Sequence, residues 1–241
     1  MYDTYLKCID EQVGKNELTF KSDPRYMGIL EHVSVQQGAE YLALIQTEFP
    51  EVLSTMGIFI HANDSVGAPH KVSYGTLVCS PTSLRYVYHS HLILAHVRRL
   101  GLAEVDMVEL GAGYGGLCFA LHFFAGAFGI TLRTYTMIDL PLANKLQERF
   151  LRLMPLGDAR LSFCSADTFG RDVSGGFLVS NYAFSELPDN LQTKYIASLF
   201  PRIQHGFMAW NFIPVYDFGI PLLENVDERP NTGPYNRYLY F

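Results

Sequence analysis

The sequence predicts an α/β fold whose mostly parallel sheet carries helices on both faces. Three observations lead there. From residue 105 to residue 212, short apolar runs that suit strands alternate with longer runs that suit helices, and such alternation builds a parallel sheet covered by crossover helices. The first of these strands ends in a glycine-rich turn, Gly111-Ala-Gly-Tyr-Gly-Gly116, that opens directly into an apolar helical run. The 241 residues, 17% charged and 14% aromatic, also suffice to bury one sizeable core.

Taken in order, residues 1–79 alternate short apolar runs with turns and are expected to form a helical and loop-rich extension packed on a core of residues 80–241. A helix is expected over 36–49, stopped by Pro50. Residues 61–73 read as loop, with Asn63, Asp64, Gly67 and Pro69 as breakers. Ser80-Pro81-Thr82 supplies a hydroxyl cap and a first-turn proline for a helix over 82–100, ended by Gly101. Strands are then expected over 105–110, 132–138, 161–164, 177–181 and 206–212, with helices over 115–128, 142–154 and 189–203. In the helix over 142–154, Leu142, Leu146, Phe150 and Leu153 fall on one stripe. The tail, 235–241, reads as an antiparallel edge strand.

Eighteen basic against 24 acidic residues leave a net charge of −6, and no Lys/Arg cluster exceeds Arg98-Arg99. Nucleic acid, which wants a basic stripe, is therefore not the expected partner. No run approaches the roughly 20 apolar residues of a membrane span, and the first residues lack the layout of a signal peptide. Cys8, Cys79, Cys118 and Cys164 lie far apart without CxxC spacing, so reduced, packed thiols and a cytoplasmic location are expected.

In an open parallel sheet, ligands sit outside the carboxyl ends of the strands. The first strand ends at Glu109 beside Gly111, Ala112, Gly113, Tyr114 and Gly115; the second at Asp139-Leu140, 24 residues beyond Gly115; the third leads to Asp167; the fourth ends at Asn181. A carboxylate two residues before the first glycine repels a pyrophosphate. It suits a ligand with an amino group, a sulfonium and a ribose, such as S-adenosylmethionine, and Asp139 stands where ribose hydroxyls are held. No metal is expected: His89 and His91 lie roughly 200° apart around their helix.

Glu186 is the first candidate general base and His89 the second, with Arg85 on the same helix face as His89. Glu186 reads equally as a carboxylate that holds a loop or pairs with Arg85, and Arg85 as a ligand for a cofactor carboxylate, a substrate oxygen or a surface ion pair. Tyr86, Tyr182 and Asn211 are candidate acceptor-binding residues. Tyr114, Tyr182, Trp210 and the tail tyrosines offer aromatic faces to a ligand, although most aromatic residues serve the core.

These motifs resemble the class I S-adenosylmethionine-dependent methyltransferases, whose first motif is an acid followed by GxGxG. More narrowly they are similar to a family of sugar O-methyltransferases with a Glu-x-Gly-x-Gly-Tyr-Gly-Gly-Leu loop, a Tyr-x-x-Ile-Asp-Leu-Pro strand end and a Ser-x-x-Glu turn. The corresponding residues here are Glu109 to Leu117, Tyr135 to Pro141, and the turn around Phe184-Ser-Glu-Leu187, with Pro81-Thr-Ser-Leu-Arg-Tyr86 before the first strand. The resemblance spans roughly residues 80–211. It implies a Rossmann-like fold and methyl transfer to a sugar or glycan hydroxyl, a deoxyhexose such as rhamnose or fucose among them. It also implies company with glycosyltransferases, to which such domains are fused in some proteins, including those of large DNA viruses. Rival readings are a small-molecule methyltransferase of another class, a nicotinamide-dependent oxidoreductase using Gly111, Gly113 and Gly116, and a non-catalytic binding module.

Overall fold

The computed structural model describes residues 2–241. The chain opens with α1 (Tyr2–Val13), a 3₁₀ turn at Phe20–Ser22, α2 (Pro24–Met27), α3 (Val35–Glu48) and α4 (Met56–Asp64). A hairpin of β1 (Val72–Tyr74) and β2 (Leu77–Cys79) then leads into the long helix α5 (Pro81–Arg99). Ser34 starts α3 with a reciprocal capping box to Gln37, which satisfies two otherwise orphaned amides. Ser80 caps α5 with Pro81 in its first turn.

Helix α4 runs through Asn63 and Asp64, where the sequence reads as loop. Both side chains are buried and find tertiary partners instead of competing for their own backbone: Asn63 Nδ2 donates to Ser83 Oγ at 2.8 Å, and Asp64 accepts from the Ser80 amide at 2.7 Å and from Ser83 Oγ at 2.6 Å. The start of α5 is thereby bolted to the end of α4.

The core alternates β3 (Glu104–Leu110), α6 (Gly116–Ala125), β4 (Thr131–Asp139), α7 (Pro141–Leu151), β5 (Leu161–Ser165), β6 (Gly176–Asn181), α8 (Ala183–Glu186), α9 (Asp189–Ser198) and β7 (Ile203–Trp210), followed by β8 (Glu224–Asp227) and β9 (Arg237–Tyr240). The sheet order is β5-β4-β3-β6-β7-β9-β8. Pairing is parallel from β5 to β7 and antiparallel on both sides of β9. This is the Rossmann-like, mostly parallel architecture expected, with helices on both faces. Along β3 the side chains alternate: Met107 joins a core with α1 and α3–α7, whereas Val108 and Leu110 join a second core with Phe184, Tyr195 and Trp210.

Three expectations need correction. Helix α9 stops at Ser198, because Pro201 lies in the 3₁₀ turn Phe200–Arg202 and Ile203 already belongs to β7. Leu153 lies beyond the end of α7 and is 61% exposed, outside the apolar stripe. The tail strand β9 is not the edge: it is inserted between β7 and β8, and β8, exposed along its whole length, takes the edge. Among the described residues no helix is long and apolar enough to cross a membrane.

Gly206 in β7 shows how tightly β9 is fitted: a Cβ built there would stand 2.4 Å from the Leu178 carbonyl oxygen and from the Phe241 ring. Gly206→Ala is expected to cost about 1–3 kcal/mol or more by overpacking, read as a lower urea midpoint at unchanged slope.

Candidate functional site

Strand order reverses at β3, flanked by β4 on one side and β6 on the other, and ligands of open α/β sheets bind outside the carboxyl ends of the strands at such a switch point. The turn Gly111–Gly116 lies there. Gly111 has φ +74°, its amide donates to the Ile138 carbonyl at 3.0 Å, and a Cβ there would lie 2.2 Å from the Cβ of Ala183, the residue that opens α8. Only glycine lets the β6–α8 turn close over β3 in this way. Gly113, also at positive φ, faces the side chain of Leu30.

Glu109 is buried, and its Oε2 accepts from the Tyr135 hydroxyl at 2.7 Å. Burial pushes its carboxyl up to about 8, so at neutral pH the group is mostly protonated. This corrects the picture of an open, charged strand tip. Asp139 is likewise committed inward: Oδ1 accepts from the Leu140 amide and Oδ2 from Gln147 Nε2, both at 2.8 Å, and the nearby amides of Ala112 and Gly113 help to hold the carboxyl down. Desolvation raises it to about 6 despite those donors. Gln147 Nε2 also reaches the Gly113 carbonyl at 3.0 Å. Asp139 in this structure thus organises the glycine turn. Asp167 stands apart on the exposed rim, accepting from Ser165 Oγ.

Tyr114 is fully buried, packed on Phe20, Tyr86 and Phe150, and donates to Asn63 Oδ1 at 3.2 Å. Its ring therefore offers no face to a ligand, only its backbone does. Trp210, Tyr238 and Tyr240 are also core residues. The buried ammonium of Lys21 lies 4.4 Å above the Tyr114 ring and donates to the Asn63 carbonyl at 2.6 Å. Desolvation lowers it to about 8.

A second group gathers where α5 faces the end of β6. Arg85, 6% exposed, donates to the Leu30 carbonyl at 3.1 Å and lies over the rings of Tyr182 and Tyr86. It is no surface ion pair. His89 is completely buried: Asn181 Nδ2 stands 2.9 Å from Nδ1, and the Tyr238 hydroxyl 3.1 Å from Nε2. Burial, with Arg85 nearby, holds the imidazole neutral. Both ring nitrogens are occupied, which leaves no lone pair for a substrate proton in this arrangement. Tyr182 takes a left-handed φ of +65° and donates to Glu228, which also holds Thr232 and Asn236.

Glu186 and Asn211 form a third group. Asn211 Nδ2 donates to Glu186 Oε1 at 2.7 Å, and the Asn211 amide donates to Ser185 Oγ, tying α8 to the end of β7. Glu186 is exposed, its partner is Asn211 rather than Arg85, and desolvation raises its carboxyl. Beyond the sequence candidates, the structure brings Glu31, Leu30, Gln147 and Glu228 against these groups. One surface concavity, near Asp106, Arg133 and Arg202, lies at the opposite end of the strands; another is lined by residues 215–222, beside Trp210 at the end of β7.

No protein-family model matches the chain, and no curated protein matches it. Solved structures do. The methyltransferase domain of bacterial CtHen1 is 17% identical over 50% of this chain and 64% of that one, with a TM-score of 0.39. The mitomycin 7-O-methyltransferase MmcR is 11% identical over 99% of this chain and 67% of its own, at 0.45. The glycopeptide N-methyltransferase MtfA, complexed with sinefungin, is 12% identical over 64% and 91%, at 0.44. Likenesses this distant decide nothing about the chemistry of this chain.

The raised Glu109 carboxyl has a consequence for stability. The unfolded carboxyl loses its proton near 4.5 and the folded one near 8. Its contribution to stability is therefore full at low pH and falls as pH rises from about 4.5 to about 8, by a few kcal/mol. Glu109→Gln is expected to flatten that fall, measured by urea unfolding at pH 5 and pH 8. An unchanged slope in the variant would move the effect to Asp139.

Proposed function

We propose that this chain is an S-adenosylmethionine-dependent O-methyltransferase acting on a hydroxyl of a sugar or glycan. The observation that carries the reading is the pair of carboxyl groups, Glu109 and Asp139, at adjacent strand tips around a glycine turn at the switch point of the sheet. A pyrophosphate brought to that turn would keep these buried carboxyl groups protonated, whereas a cation would favour their ionised, accepting form. An arriving cation would favour ionised Glu109, so binding should release a proton near neutral pH. Leu30, seated on Gly113, marks where the cofactor meets the N-terminal segment.

The acceptor side is proposed to be the cluster of Tyr86, Asn181 and Tyr182, with Asn211 beyond it. Phe212 and Tyr235 support a sugar ring: both are more than half exposed and both hold left-handed φ values, +66° and +61°. They stand two residues outside the paired ends of β7 and β9, on the same rim as Tyr182. Bulky residues rarely keep such backbone angles, and strain of this kind collects at ligand sites. In the reaction the hydroxyl oxygen attacks the methyl carbon in line, the carbon–sulfur bond breaks with its electron pair left on sulfur, and the hydroxyl proton passes to a base. Glu186, with one carboxylate oxygen left free by Asn211, suits that role better than His89, whose nitrogens are both engaged.

Calorimetry with S-adenosylmethionine, whose sulfonium supplies the cation, is expected to show binding that tightens from pH 6 to pH 8 and weakens in Glu109→Ala. Binding of NADH without S-adenosylhomocysteine would overturn the reading in favour of an oxidoreductase. Glu186→Gln should keep cofactor affinity and lose turnover by about 10²-fold or more on a glycan panel, with full activity returning the role to His89.

A further inference from the structure

We infer that Glu31 and Arg85 form a clamp for an α-amino-acid group, the aminocarboxypropyl end of the methyl donor, with Glu31 taking the ammonium and Arg85 the carboxylate. The inference rests on the cofactor reading above and adds to it a residue from outside the glycine turn.

The two side chains are brought together by one backbone contact. Arg85, on the second turn of α5, donates to the Leu30 carbonyl, and Glu31 is the next residue. Leu30 in turn lies against Gly113, where a Cβ would stand 3.3 Å from its Cδ1. The pair therefore sits directly over the turn that the donor must approach. Glu31 is fixed on its other side by Ser80, whose hydroxyl donates to Oε2 at 3.3 Å.

Each charge is left half-satisfied. Glu31 Oε1 is shut off from solvent and has no hydrogen-bond partner. Of the five N–H groups that a guanidinium offers, Arg85 uses one on Leu30, and among the described residues no carboxylate oxygen lies within 4.0 Å of it. Burial raises the Glu31 carboxyl, and Lys21, Arg85, the Thr82 hydroxyl and Asp64 act on it only more weakly; the Lys21 ammonium is already spent on the Asn63 carbonyl. Buried charges without partners are costly and survive where a ligand completes them. One cation and one anion, side by side and unpaired, match the two opposite charges of an amino-acid zwitterion. A neutral sugar would satisfy neither.

The test compares S-adenosylhomocysteine with 5′-methylthioadenosine, which keeps the nucleoside and thioether but lacks the amino-acid end. In the unaltered protein, S-adenosylhomocysteine should bind at least tenfold more tightly. Glu31→Gln and Arg85→Met should each weaken it by about 10- to 100-fold while leaving methylthioadenosine within about twofold. Equal loss for both ligands would reduce the two residues to structural parts and overturn the clamp, as would unchanged affinity for both. If a variant fails to fold, the unaltered protein still decides: equal affinity for the two ligands sinks the clamp but not the cofactor site. Absence of binding by either ligand sinks the cofactor reading itself.

Discussion

The glycine turn between β3 and α6 cannot satisfy its own backbone, and much of the surrounding structure is arranged to satisfy it. Its amides and carbonyls belong to neither the sheet ladder nor the helix, and buried backbone groups left unpaired are costly. Asp139 faces the amides of Ala112 and Gly113, Gln147 takes the Gly113 carbonyl, and Gly111 pairs with Ile138. Strand β4 and helix α7 thus act as the turn's scaffold, and the N-terminal segment closes it from the other side through Tyr114, Asn63 and Lys21.

The same arrangement explains the unusual proton chemistry at the strand tips. Glu109 and Asp139 carry raised carboxyl groups for one reason, desolvation, but differ in degree because Asp139 has several donors and Glu109 has the Tyr135 hydroxyl. Strand tips bearing such groups are nearly neutral, and a cation brought beside them would favour their ionised form. Binding strength and proton release are then two views of one event.

The parallel sheet was legible because alternation and turn chemistry are local signals. The strand tips Glu109, Asp139 and Asn181 follow from it, since a strand's last residue faces the ligand edge wherever the strand ends. What the sequence hid was orientation and partnership. Tyr114 looks like a ligand face by position, yet the left-handed Gly115 that starts α6 leaves its ring inward. Asn63 and Asp64 look like breakers until Ser80 and Ser83, nearly twenty residues on, take up their side chains. Glu31 and Glu228 lie in irregular segments without periodicity, and their importance comes only from what the distant chain brings beside them. The expected edge strand at 235–241 went wrong for a related reason: strand order is set by long-range pairing, which no local pattern encodes.

The insertion of β9 between β7 and β8 sets an order of assembly. Until residues 237–240 arrive, β7 presents an open row of amides and carbonyls, flanked by the apolar Phe207 and Trp210 that β9 will cover. A chain still being synthesised holds that sticky border exposed through some thirty residues of growth, a hazard for mispairing with a neighbour. Tyr238, the residue that steadies the His89 ring, reaches its place only in that same closing step, so the packing around His89 and the protected sheet come into being together.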